Sequence, residues 1–240
     1  MLILAVDTSS RTGSAALLRD SQVLAEVSGY EETLYSNRLF RDIDLLQSNA
    51  NFRLCQIDLF AVAAGPGSFT GLRVGLTAVK AWAEVYGKPI AAVSGLQAIA
   101  AESLLDQAST AANALLIAPF LDARRGQIFA AIYRKASDEE GGLVLEGDES
   151  ILSPDEFLHL VKGTSRRQAV LVSPTPAALP VERIAQILPG ASVVQVSAAL
   201  APAIGRLGFE RAKRGNLVDA LHLDANYLRR SDAESAWKDG

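Results

Sequence analysis

The order of apolar runs in the first hundred residues constrains the fold of this 240-residue chain more than any other feature. Leu2 to Val6 is apolar throughout and has strand length, the pattern of a strand buried on both faces. Ser14 to Leu18 and Val23 to Val27 follow after the turn-like pairs Thr12-Gly13 and Asp20-Ser21, so the chain opens on a meander of three strands. The spacing then becomes helical. Tyr35, Leu39, Ile43 and Leu46 recur at three and four residues and predict a helix over 34–47. Leu59 to Ala64 predicts a strand running into Gly65-Pro66-Gly67, and Ser68 is placed to cap a helix that reaches Tyr86. Pro89 to Val93 predicts a further strand, and Ser94 caps a helix to about Leu105. A meander followed by strand–helix alternation predicts an α/β fold with mixed sheets flanked by helices, two-lobed, of the RNase H-like or actin-like kind.

Beyond a linker-like stretch at 106–110 the theme repeats less cleanly. Strands are expected at 114–118, 127–133, 143–146, 169–173 and 192–196, and helices at 154–161 and from about 199 to 214. Ser173 to Pro180 reads as an irregular, proline-rich connection. The division expected is an N-terminal lobe over 1–105 and a smaller C-terminal lobe over 106–240, with the last helix a candidate to pack back on the first lobe.

Composition removes several classes. Hydrophobic residues at 49% and charged residues at 21% describe a folded globule rather than a disordered chain. The opening apolar run meets Asp7 after six residues, with no basic residue ahead of it, unlike a signal peptide. No uncharged apolar run approaches the ~18 residues of a membrane helix, so a cytoplasmic protein with no membrane partner is expected. Cys55 is the single cysteine, fits a reducing compartment, and is expected to be a small buried hydrophobe. A net charge of -4 and a pI near 5.3 argue against a free-standing nucleic-acid binder. Arg124-Arg125 and Arg229-Arg230 remain as local contacts within an assembly.

The residues assemble no recognisable catalytic centre. The glycine-rich stretch Gly65 to Gly71 lies between strand and helix, where an anion is favoured, but no Lys follows until Lys80, and Thr70 stands where a dinucleotide fingerprint needs its third glycine. A tight turn with close helix packing is the simpler reading. Asp7-Thr8-Ser9 ends the first strand, where actin-like ATPases and RNase H-like nucleases place a metal-associated carboxylate. These three residues are the candidate cofactor-binding set, weighed against a turn-stabilising Asp. His159 and His222 form no metal-seating pair, and no nucleophile elbow or triad is visible. Projected as a helix, 68–86 puts Leu72, Leu76, Val79 and Ala83 on one stripe, the core face, and Gly71, Gly75, Ala78 and Trp82 on a neighbouring stripe that Val74 and Val85 extend. That leaves Arg73, Thr77, Lys80 and Glu84 for solvent.

The stretches Leu2 to Ser9, Gly65 to Gly75 and Asp122 to Ala131, with Asn226-Tyr227-Leu228-Arg229 near the C-terminus, resemble the TsaB family, also called YeaZ. The resemblance implies an actin-like fold and a non-catalytic role in making threonylcarbamoyladenosine on tRNA, as the dimer partner of a TsaD-like catalytic subunit that holds its metal through paired histidines. It implies no catalytic or metal residue here and no cofactor bound by this chain alone, with any ATP or ADP at the assembled complex. A TsaE-like ATPase, tRNA reached through the complex, and a homodimer in the absence of TsaD complete the expected partners. The implied interface lies on the two long helices: Tyr35, Leu39, Phe40, Ile43, Leu46, Gly71, Val74, Gly75, Ala78 and Trp82, with Gly75 admitting a second helix closely. Tyr35 departs from the family, which usually carries His at that point. The rival readings are an independent actin-like ATPase or sugar kinase, and an RNase H-like nuclease.

Overall fold

The computed structural model describes residues 1–29, 35–105, 116–135, 142–164 and 169–229, excepting the side chains of 35–37. The expected linker at 106–110, Arg230 and the Tyr35 side chain fall outside the described residues. In chain order the elements are β1 (Leu2–Asp7), β2 (Ser14–Arg19), β3 (Gln22–Ser28), α1 (Tyr35–Ala50), β4 (Leu59–Gly65), α2 (Phe69–Tyr86), β5 (Ile90–Ser94) and α3 (Gly95–Glu102). They continue with β6 (Leu116–Arg124), β7 (Gln127–Ala130), β8 (Tyr133–Lys135), β9 (Leu143–Leu145), β10 (Ser150–Leu152) and α4 (Pro154–Thr164). The last are β11 (Ala169–Ser173), α5 (Val181–Ile187), β12 (Ser192–Gln195) and α6 (Ala201–Lys213).

Two compact units result, one from 1–98 with 199–227, the other from 99–198 with 228–229. The first holds a five-stranded sheet in the order β3-β2-β1-β4-β5. β1 runs antiparallel to β2 and parallel to β4, β2 antiparallel to β3, and β4 parallel to β5. The second unit repeats this plan as β10-β7-β6-β11-β12, with antiparallel β10–β7 and β7–β6 pairs and parallel β6–β11 and β11–β12 pairs. β8 adds to the near end of β6 and carries β9.

Burial follows position in the sheet. Central β1 is buried from Ile3 through Asp7, whereas edge strand β3 alternates exposed and half-buried residues. Alternate residues serve opposite faces. Leu4, Val6, Leu17, Phe60 and Val62 join one core with Leu39, Ile43 and Leu46 of α1 and Leu72, Leu76 and Val79 of α2. The other face is covered by α6, which packs on β1, β2, β4 and β5. Its glycines make that docking close: a Cβ on Gly205 would strike Leu18, and one on Gly208 would stand 2.8 Å from the Ala61 Cβ. α2 begins as expected, with Ser68 Oγ accepting the Gly71 N–H at 3.3 Å, and ends at left-handed Gly87. In the second unit Phe120, Ile128, Leu171 and Ile184 gather around Phe157, Leu158 and Val161 of α4.

The structure differs from the sequence reading at several places. β6 does not stop at 118; it continues through Pro119 to Arg124. Pro119 falls where the pairing with β11 ends, so its missing N–H breaks no continuing ladder. Val181–Ile187 is a helix that follows Pro180, between the expected connection and the expected strand at 192–196, where no element is expected. Cys55 is exposed rather than buried, because the 3-10 turn Leu54–Gln56 sends Phe52, Leu54 and Ile57 inward and Cys55 outward.

Candidate functional site

The turn after β1 collects the Asp7-Thr8-Ser9 set, and each side chain is turned into the unit. Ser9 donates both its N–H, at 2.8 Å, and its hydroxyl, at 2.6 Å, to Asp7 Oδ1, a closed Asx turn. Thr8 Oγ1 donates to the Gly71 carbonyl in the first turn of α2 at 2.6 Å. The Ser9 carbonyl accepts the Ser68 N–H at 2.8 Å, and a Cβ on Gly67 would stand 2.6 Å from that same carbonyl oxygen. Gly67 therefore lets the loop before α2 lie flat on the β1–β2 turn, and Gly65, at φ 117, does the same against Asn226, whose N–H reaches the Ala64 carbonyl at 2.7 Å.

A second element of the site was not legible in the sequence: Arg38 of α1 is buried and clamps this turn. Its Nη1 donates to the Arg11 carbonyl at 2.8 Å, its Nη2 to the carbonyls of Thr12 and Gly13, and its Nε to Asp42, one turn along α1, at 3.2 Å. Charge is thus placed where three turn carbonyls converge. Burial raises the Asp7 carboxyl above the usual carboxylate range, against the opposing pull of the Ser9 hydrogen bonds and the Arg38 charge. Asp7 Oδ2 is buried with no hydrogen-bond partner among the described residues.

These residues do not fit a metal–phosphate seat. One carboxylate oxygen is already consumed by the Asx turn, the glycine loop is closed down on Ser9, and no group of three metal-ligating side chains occurs among the described residues. What the arrangement does is mechanical. It welds the end of β1 to the start of α2 and to α1, fixing how both long helices stand on the sheet.

The outward side of those helices is the second candidate surface. Leu39, Ile43 and Leu46 of the expected interface are buried in their own core, as are Gly71, Gly75 and Ala78. Gly75 has a different reason from the expected one: a Cβ there would collide with Thr8 Oγ1, so the missing side chain makes room for the end of β1 rather than for a second helix. The apolar surface that stays open is narrower. Phe40 is 53% exposed and Val85 73%, with Val74 and Trp82 half-buried between the core and solvent. Val74, Trp82 and Val85 lie within about 80° of arc on α2. Trp82 links inside to outside, its ring 6.0 Å from buried Phe60 and 6.3 Å from Phe40 in an edge contact.

Arg73 is exposed, as expected, and is also held over the Phe69 ring at 3.8 Å, with its Nε donating to Tyr227 Oη at 3.3 Å. The Tyr227 ring lies 5.0 Å from Phe69. The segment Asn226-Tyr227 is thereby tied to both ends of the Gly65–Arg73 stretch, a long-range tie that spacing along the chain could not announce.

Comparison with known proteins places this geometry. The family described as TsaD, tRNA N6-adenosine threonylcarbamoyltransferase, matches residues 32–161. The tRNA threonylcarbamoyladenosine biosynthesis protein TsaB of Bacillus subtilis is 31% identical over 239 residues, 99% of this chain and 98% of that protein. Its namesake in Escherichia coli is 32% identical over 66% of this chain and 65% of its own length. Among solved structures, YeaZ from Pseudomonas aeruginosa superposes with a TM-score of 0.73 at 24% identity, covering 95% of this chain and 99% of that one. A ROK hexokinase from Thermus thermophilus superposes at 0.53 and 12% identity, over 89% of this chain and all of that one. These likenesses make the fold actin-like.

Proposed function

Because the chain belongs to the TsaB family of tRNA threonylcarbamoyladenosine biosynthesis proteins, we propose that it is the non-catalytic subunit paired with a TsaD-like threonylcarbamoyltransferase. It is an accessory protein of threonylcarbamoyladenosine formation. The carrying observation is the end-to-end match to the Bacillus subtilis protein.

The physical role follows from the welded turn and the open seam. A helix pair whose stance is fixed by Arg38, Thr8 and Gly75 is a rigid platform, and rigid platforms lose little entropy on association. Phe40, Val74, Trp82 and Val85 supply the apolar anchor for the catalytic partner, and for a second copy of this chain when that partner is absent. ATP or ADP and a TsaE-like ATPase join at the assembled complex, in the cytoplasm, and tRNA is reached through that complex. No helix among the described residues is long and apolar enough to cross a membrane. An independent kinase or ATPase is less well supported, because the Ser68 N–H at the head of α2 is already bonded to the Ser9 carbonyl rather than offered to a phosphate.

Reconstitution tests this reading. The TsaD-like partner, threonylcarbamoyl-adenylate and unmodified tRNA are combined with and without this chain, and the modified nucleoside is measured after digestion of the tRNA. Modification is expected only with the chain present; full modification without it overturns the proposal.

A further inference from the structure

β6 and β7 are joined by a two-residue hairpin, with Arg124 opposite Gln127 and Arg125-Gly126 at the tip. Three successive residues have left-handed backbone: Arg124 at φ 61, Arg125 at φ 56 and Gly126 at φ 71. A tip of this kind asks for Asn-Gly, since asparagine and glycine enter that region readily and a long L side chain does not. Two adjacent arginines held there are strained, and nothing in the pairing of β6 with β7 calls for arginine. Asp122 props the strained turn, its Oδ1 accepting the Arg124 N–H at 2.7 Å. Arg229 braces it from the side: Nη1 donates to the Ala123 carbonyl and Nη2 to Gln127 Oε1, each at 2.6 Å. Both acceptors are uncharged, so the Arg229 guanidinium adds its full positive charge to the hairpin. Arg124 and Arg125 are both exposed.

A chain of net charge -4 thus carries two adjacent exposed arginines on left-handed backbone at one point, with Arg229 bonded to the same hairpin. Backbone strain of this sort persists where the displayed group has a use. Arginine forks match phosphate oxygens in geometry and charge. We propose that the Arg124-Arg125 hairpin is a phosphate-backbone contact for the tRNA substrate of the complex, an inference that rests on the proposed function above. The acidic body explains why such a contact must be local. The general field of the chain repels a polyanion, so a projecting pair of arginines does the holding.

The strain makes the proposal separable from a structural role. Replacing Arg124 by Gly and Arg125 by Asn gives the turn the residues it favours, so the double variant should melt higher than the wild type. A merely structural hairpin predicts a sturdier chain with unaltered tRNA binding. The complex of the catalytic partner with wild-type chain or with the R124G/R125N variant is titrated against labelled unmodified tRNA over a series of salt concentrations. Expected are a raised melting temperature, unchanged co-elution with the partner, a Kd for tRNA weakened roughly 10-fold, and a salt slope reduced by about two, one for each phosphate no longer neutralised. Lysine at both positions should restore most of the slope. An unchanged Kd and slope, or dissociation of the partner with tRNA binding intact, overturns the proposal. Failure of the wild-type chain to support modification overturns the underlying function, whereas wild-type modification with an indifferent double variant overturns the hairpin contact alone.

Discussion

Adding a single methyl group at Gly75 tests whether the helix pair is set by the end of β1. In an exposed helix interior, Gly→Ala stabilises by about 1 kcal/mol, because alanine fixes the backbone at less entropic loss. Here the new Cβ would collide with Thr8 Oγ1, the hydroxyl that donates to the Gly71 carbonyl at 2.6 Å. The Thr8 side chain must swing away or α2 must lift. Lifting overpacks a filled core at about 1–3 kcal/mol, and swinging leaves a buried hydroxyl without its acceptor at about 1–3 kcal/mol. With one of these responses dominant and the helix gain subtracted, Gly75→Ala should give no stabilisation and should destabilise by up to about 2 kcal/mol, against the propensity rule. Thr8→Ala removes the colliding oxygen, so the double variant Thr8→Ala/Gly75→Ala should recover most of the loss beyond the Thr8→Ala change itself; the helix gain cancels in the cycle, leaving a coupling of about 1–3 kcal/mol. Urea unfolding followed by circular dichroism measures it, at several protein concentrations so that self-association is separated from fold stability. Stabilisation by Gly75→Ala, or strict additivity in the cycle, would refute the reasoning.

Two further outcomes are expected. Asp7, raised by burial above its unfolded value of 3.8, binds its proton more tightly when folded; its contribution is fully present below about pH 4 and is lost as pH rises through the raised folded value. Asp7→Asn cannot ionise, so its melting temperature relative to wild type should climb from about pH 4 upward and then level off, and a difference flat from about pH 4 to 8 would contradict the burial argument. Val85→Asp alters an exposed position and should move chain stability by no more than about 0.5 kcal/mol, while Phe40→Asp also gives up the edge contact with Trp82, about 0.5–1.5 kcal/mol; each should abolish association with the catalytic partner or a second copy. Light scattering beside circular dichroism decides it, and folded variants that still assemble would remove the seam from consideration.

Local periodicity carried the fold a long way. The meander, the order of strand and helix, the Ser68 cap and the core stripe Leu72, Leu76, Val79 and Ala83 are all set by neighbours within a few residues, and all are found. Reading fails where the cause is distant. A helical projection sees Gly75 as a gap and cannot see that Thr8 fills it, so a stripe that faces β1 looks like a stripe awaiting a helix. The same projection rightly leaves Arg73 exposed, but it cannot show that Tyr227 meets Arg73 there. Arg38 looks like one more charge on an amphipathic helix until the turn carbonyls of Arg11, Thr12 and Gly13 are brought over it. Short elements fail for another reason. Ser150–Leu152 and Val181–Ile187 are too brief for a period to repeat.

The docking of α6 on the β1–β2–β4–β5 face has a consequence for how the molecule is made. Every strand of that sheet has left the ribosome by Ser94, yet the helix that roofs one of its faces begins only at Ala201. Until then Leu18, Leu59 and Ala61 have no partner above them, and Ser14 Oγ waits for the Ala201 N–H that it accepts at 3.0 Å. The N-terminal sheet therefore emerges first and is completed last, and a fragment ending near residue 105 would carry an unroofed apolar sheet into solution. The intervening unit is an insertion in the chain of the first one, and the final helix is the piece that closes the first unit's sheet.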